Sequence, residues 1–197
     1  MIIFSNYYTK ILVGFFFNSV KNIGDYEDKG LPILMISNHF SFYDGFIQIL
    51  LNLKVFKRRL HFMMLEKELR KNMLLTKLGA CSISKGKRSS LESLDYAVEV
   101  LEDKENMFLF FPQGKIQSIY TRDFTFEKGL LTHILENKRT DFQLVFNINL
   151  IKYGTNLRPD IYAYYETQDI NEATTAEDLE LAFNRFAKTC FSKQGAT

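Results

Sequence analysis

The stretch LPILMISNHFSFYDG, residues 31–45, runs from an apolar segment into a histidine and an aspartate five positions apart. Its core, residues 33–37, does not alternate between apolar and polar, which is the pattern of a strand covered on both faces. Ser41 then begins apolar spacing of helical period that continues through residue 52. A buried strand thus feeds a helix, with His39 and Asp44 at the junction.

Outward from this unit the same two patterns alternate. Residues 60–65, LHFMML, read as a second strand, followed by a charged helix over 66–78 that Gly79 terminates. ACSIS is a short strand, residues 91–101 carry helical apolar spacing, and MFLFF, residues 107–111, is a strand bounded by Pro112 and Gly114. Strands follow at 142–151 and 161–166, then a final helix over 175–191. Most of these strands are continuous apolar runs, so the expected fold is α/β: a single domain with a mostly parallel mixed sheet flanked by helices. Ligands of such sheets bind at the carboxyl ends of strands. Ser37, Asn38 and His39 stand at one such end and Pro112, Gln113 and Gly114 at another, so the two are expected to share one crevice.

Composition sets the outer bounds. At 197 residues the chain is the size of one domain, with 46% apolar and 24% charged residues. Its 19 Phe and 10 Tyr ask for a large core or an apolar partner. A formal charge of +2 does not suit a nucleic-acid binder, and KGKR, residues 85–88, is a local basic cluster. Cys81 and Cys190 have neither zinc spacing nor the density of a disulfide scaffold, and are expected to be buried thiols in a reducing compartment.

The first 22 residues, MIIFSNYYTKILVGFFFNSVKN, are apolar without being long enough to span a bilayer. Their longest apolar-plus-glycine run, residues 11–17, is far short of about 20 residues. As a helix they place Asn6, Lys10, Gly14, Asn18 and Asn22 on one polar stripe. The organisation expected is an amphipathic, membrane-facing helix over 1–22, packed on the domain or lying in a membrane interface, and a main domain over 23–197.

Two readings compete for the histidine and aspartate. Ser41 and Asp44 fit the S-x-x-D capping box, which satisfies free amides at a helix start but leaves His39 without a role. Alternatively Asp44 reaches back to one nitrogen of His39, and the other nitrogen faces the crevice as a general base. With no G-x-S-x-G elbow in the chain, the base would act on a hydroxyl of the substrate. One His and one Asp make two metal ligands, and His61 and His133 do not extend the set, so no metal is expected. KGKR lacks the spacing and the Ser or Thr of a phosphate-binding loop.

Asn38-His39-Phe40-Ser41-Phe42-Tyr43-Asp44, then Gly79 to Lys85, then Phe111-Pro112-Gln113-Gly114, then Phe126-Glu127-Lys128-Gly129 form an ordered set that resembles the glycerolipid acyltransferases of the lysophosphatidic acid acyltransferase type. The resemblance implies a glycerol-3-phosphate acyltransferase-like fold and an O-acyltransferase. By it, His39 and Asp44 are catalytic, and the acceptor alcohol attacks the thioester of an acyl-CoA or acyl carrier protein with no covalent enzyme intermediate. Asn38, Ser41, Lys85, Phe111, Pro112, Gln113, Gly114 and Lys115 become substrate-binding candidates, Gly114 as the source of an amide facing the oxyanion. No cofactor is implied beyond the thioester co-substrate. The partners implied are the acyl donor, a lysophospholipid or other lipid-like alcohol, and a membrane surface on its cytoplasmic face, with no transmembrane span.

Two departures bear on the acceptor. Gln113 stands where the family places Glu, no arginine stands at the equivalent place after it, and Lys85 stands where the family places Arg; these positions serve phosphate-bearing acceptors, for which arginine is the better bidentate ligand. Lys85, Lys87, Arg88 or Lys115 substitute as point charges, or the acceptor carries no phosphate. The altered block also leaves open a catalytically inactive lipid-binding or adaptor protein, or a hydrolase in which water replaces the alcohol.

Overall fold

A computed structural model describes residues 9, 11, 13–65, 69–70, 75–76, 79–83, 87–139 and 141–195. Seven strands, β1 (Ser19–Ile23), β2 (Ile33–Ser37), β3 (Arg59–Leu65), β4 (Ala80–Ile83), β5 (Asn106–Phe110), β6 (Gln143–Lys152) and β7 (Asp160–Gln168), form one sheet in the order β1-β7-β6-β2-β5-β3-β4. Every neighbouring pair is parallel except β6 with β7. The helices among the described residues include α1 (Asp44–Lys54), α2 (Lys87–Val100), α3 (Gly129–Asn137) and α4 (Ala176–Gly195). The mostly parallel, helix-flanked α/β sheet expected from the apolar runs is the one observed.

The two faces explain why those runs do not alternate. Leu34 and Ile36 of β2 pack in one cluster with side chains of α2, α3 and α4. Ile33 and Met35 pack in the other, with Phe46, Ile47 and Leu51 of α1 and with Val13 and Phe17 upstream of β1. Both sides of β2 are therefore buried, and all five residues are apolar or, at Ser37, hydrogen-bonded. The chain leaving β2 passes through α1 on one face, and the chain leaving β5 passes through α3 on the other. Their connections diverge at the carboxyl edge of these two adjacent strands, the position at which ligands of such sheets bind.

Three local readings are corrected. Ser19–Ile23 is strand, where helix was expected through residue 22. The helical residues upstream are Thr9, Ile11 and 13–16, and residues 1–8, 10 and 12 of the expected helix lie outside the described residues. Strand forms there because β7 offers its free edge, and Asp160 at the head of β7 accepts from the Asn18 side chain at 2.7 Å and the Ser19 hydroxyl at 2.8 Å. The second correction is α3, where no helix was expected. It starts without a side-chain cap, so its only sequence signal is the spacing of Leu130, Leu131 and Ile134. The third concerns Cys81, which is half-buried; Cys190 is buried, and burial pushes its thiol up to about 12. The expected helix over 66–78 lies mostly outside the described residues.

Candidate active site

Asp44 is the first residue of α1 and has no solvent exposure. Its Oδ2 accepts the His39 ring Nδ1 at 2.7 Å and the backbone N–H groups of Phe40 at 2.7 Å and Ser41 at 2.8 Å. Oδ1 takes the Ser41 hydroxyl at 3.0 Å, and that hydroxyl oxygen accepts the Tyr43 N–H at 3.1 Å. Tyr43, at the N-cap of α1, makes no side-chain cap bond, so the expected capping box is met only in the turn before the helix, where Asp44 accepts the Ser41 N–H. The aspartate satisfies the free amides of the turn before the helix and holds the imidazole with the same oxygen.

The geometry assigns the tautomer. An ionised carboxylate only accepts, so Nδ1 carries the proton and Nε2 presents its lone pair. Among the described residues Nε2 has no hydrogen-bond partner, and the side chain is 23% exposed. One ring face stacks on Phe111, with centroids 4.4 Å apart and planes at 21°. The arrangement can take a proton from a hydroxyl in the crevice and stabilise the imidazolium that forms.

The Pro112–Gly114 turn reaches this histidine through side-chain amides. Gln113 accepts the His39 N–H on Oε1 at 2.5 Å and donates from Nε2 to Gln117 Oε1 at 2.7 Å. The Gln117 N–H then donates to the His39 carbonyl at 3.0 Å. Sequence reading missed Gln117, for which no signal existed.

These contacts change the roles of four candidates. Asn38 is buried and spent on the backbone of β6, donating to the Asn149 carbonyl at 3.0 Å and accepting the Asn149 N–H at 2.8 Å. Gln113 is likewise buried and committed to the His39 backbone, and Ser41 to Asp44. All three are held by protein groups beside the histidine. The Gly114 N–H donates to the Phe111 carbonyl at 3.2 Å and closes the turn, so it is not a free amide facing an oxyanion. Pro112 is buried, and its carbonyl accepts the Glu127 N–H at 2.7 Å, joining the Phe111 and Phe126 blocks. Phe111 lies against the ring as expected, Lys115 is exposed at the crevice loop, and Lys85 lies outside the described residues.

Glycine at 114 has a different reason. Its φ is +64°, and a Cβ would come within 2.2 Å of the Glu127 carboxyl carbon. Gly114→Ala is expected to cost about 1–2 kcal/mol from the left-handed backbone and the displaced carboxylate, a fall of about 2–8 °C in melting temperature. Calorimetry checks this, and an unchanged melting point would show that the turn relaxes freely.

The fold is thus an α/β sheet with a carboxylate-held imidazole at its carboxyl edge. Residues 19–146 match the Acyltransferase family model, more than half of the chain, and the protein belongs to that family, the glycerolipid and 1-acylglycerol-3-phosphate acyltransferases. It is an acyltransferase enzyme, and membership implies an acyl donor and an alcohol acceptor. No curated protein matches the chain.

Proposed function

We propose that the protein moves a fatty acyl group from the thioester of acyl-CoA or acyl carrier protein to the hydroxyl of a lysophospholipid or other lipid-like alcohol, with His39 as general base. The observation that carries this reading is the 2.7 Å bond from His39 Nδ1 to a fully buried Asp44, which leaves Nε2 as the basic nitrogen. His39 takes the proton of the acceptor hydroxyl as its oxygen attacks the thioester carbon. The tetrahedral adduct collapses with loss of the thiolate, which leaves as the thiol on taking the proton from the imidazolium. Asp44 holds the ring in position through both transfers, and the stacked Phe111 prevents it from turning.

The altered third block does not argue for an inactive protein. Gln113 contacts protein backbone and Gln117, so its neutral amide serves as a brace, a task that needs a donor and an acceptor together. Incubating the protein with labelled palmitoyl-CoA, then palmitoyl-acyl carrier protein, and a membrane lipid extract tests the reading. A labelled ester is expected; labelled free acid alone would favour hydrolysis.

Amphiphilic substrates fit a peripheral membrane site. No helix among the described residues is long and apolar enough to cross a membrane. Ile11 and Phe15, one helical turn apart, are 56% and 72% exposed, and Phe16 packs at a tilt against Tyr43, ring centroids 4.4 Å apart, next to Asp44. Beyond the Pro112–Gly114 turn, Ile116 and Tyr120 are exposed as well. Aromatic and aliphatic side chains thus flank the dyad on two sides, as a surface that rests on lipid requires. The double variant Ile11→Glu, Phe15→Glu is expected to lose roughly 2 kcal/mol of membrane partitioning, about thirtyfold, in sedimentation with phospholipid vesicles. Unchanged sedimentation would place the docking surface elsewhere. Point changes are the clean test, because a deletion through Val20 would remove part of β1.

A further inference from the structure

Among the described residues, four of the eight buried side-chain atoms without a partner belong to Asn149, Asn22 and Gln48. Asn149, in β6, is 1% exposed, and both its side-chain amide nitrogen and its oxygen lack a partner among the described residues. Each such atom has given up its bonds to water and gained nothing in the folded chain. Across the sheet Asn149 pairs with Ala163, and Ala163 with Asn22, whose Oδ1 is also buried and unpartnered. Residues paired across a sheet project to the same side, so the two asparagines flank the small Ala163 in one row. Two residues earlier in β6, Asn147 accepts from Gln48 of α1 at 2.5 Å, and Gln48 keeps Oε1 buried without a partner.

This row faces α1, as the dyad does. Ser37 pairs with Asn147, so the chain leaving β2 brings His39 level with Asn149 on the adjacent strand, and the two Asn38 bonds to the Asn149 backbone hold it there. His39 turns to Asp44 at the start of α1, and Asn149 projects to the same face as Asn147.

From this juxtaposition we infer that the Asn149 carboxamide, with Asn22 and Gln48 beside it, is the docking point for the hydroxylated head of the acceptor. The inference rests on the acyl-transfer reading of the dyad and deepens it. The unpartnered set is uncharged and holds three acceptor oxygens and one donor nitrogen. A phosphate, which offers only acceptors, is matched poorly by it. A glycerol-type head with free hydroxyls, each able to donate and to accept, is matched well. The ligand class is therefore a neutral polyol ester such as a monoacylglycerol, with one hydroxyl on Asn149 and its neighbour at His39.

Asn149→Leu keeps the shape of the side chain and removes its hydrogen-bonding atoms, and the probe is 1-octanoylglycerol. The ligand-free variant is expected to melt about 2–6 °C higher than the natural chain, since no partner is lost. The melting shift that 1-octanoylglycerol gives the natural chain should vanish, and the KM for it as acceptor should rise about tenfold or more with the donor KM unchanged. A lower melting point with an unchanged acceptor KM would make the amide a structural element and overturn the inference. A higher one with both ligand readouts unchanged would mean that the site holds water alone, which also overturns it. If Asn149→Leu does not fold, Asn149→Ala carries the same two ligand readouts. A natural chain that binds 1-octanoylglycerol through Asn149 yet transfers no acyl group would retain the site and lose the transfer reading. A natural chain that transfers acyl groups but shows no melting shift with this probe would do the reverse.

Discussion

His39→Ala lowers acyl transfer by about two to four powers of ten while the chain still folds, the usual scale of a lost general base. The reason lies in the single free nitrogen. Nδ1 is spent on Asp44, so Nε2 alone can take the acceptor proton, and among the described residues no side chain bonded to the dyad replaces it: Ser41 donates to Asp44, and Gln113 and Asn38 are tied to backbone. Stability changes little, since the side chain is partly exposed and Asp44 keeps its other donors. The loss of one bond to a charged acceptor is worth about 1.5 kcal/mol, or about 3–6 °C in melting temperature. Single-turnover kinetics with calorimetry on the same preparation check both halves. Activity within tenfold of the natural chain would remove His39 from the mechanism.

Asp44 gives the second large effect, and two substitutions separate its functions. Asparagine can turn its carbonyl toward the three donors now on Oδ2 and its amide toward the Ser41 oxygen, so Asp44→Asn keeps the fold and the ring tautomer. What it loses is the negative charge beside the imidazolium. At about 4 Å and an effective dielectric constant of about 20 that attraction is worth about 4 kcal/mol, close to three powers of ten in rate. Asp44→Ala instead leaves the Phe40 and Ser41 amides, the Ser41 hydroxyl and Nδ1 without their acceptor. Orphaned donors cost about 1 kcal/mol or more apiece, so a loss on the order of 4 kcal/mol and a melting point lower by about 10 °C are expected. An Asn variant as active as the natural chain would show that the charge does not act on the transition state, and an Ala variant melting with the natural chain would show that the turn needs no carboxylate.

The dyad was legible in the sequence because it is local. His39 and Asp44 are five residues apart, with Ser41 between them at capping distance from Asp44, so a strand end and a helix start bring them together without help from the rest of the chain. The S-x-x-D motif forms a bonded turn ahead of the helix without capping it, and the same carboxylate oxygen accepts from that backbone and from the ring. The roles of Asn38, Gln113 and Gly114 were not legible. An amide or glycine next to a base reads as a ligand contact, whereas their hydrogen bonds run to protein: Gln113 to a residue 74 positions away, Asn38 to one 111 positions away. The N-terminal segment failed for a related reason. Its helical stripe was extended into residues 19–22, where pairing with β7 outweighs the local period.

Local chemistry was therefore determined by the amino-acid order itself: which segments are strand or helix, β1 and α3 apart, that β2 is buried on both faces, and that an imidazole and a carboxylate meet where β2 ends. Tertiary structure alone decided the sheet order, the edge position of β1, the bracing of His39 by Gln113 and Gln117, and the row in which Asn149 is left without a partner. The division follows from range. A side-chain period or a cap acts within one helical turn, whereas a sheet ladder closes only when segments far apart in the chain meet, and no local pattern specifies which hydrogen-bonding groups that meeting will satisfy.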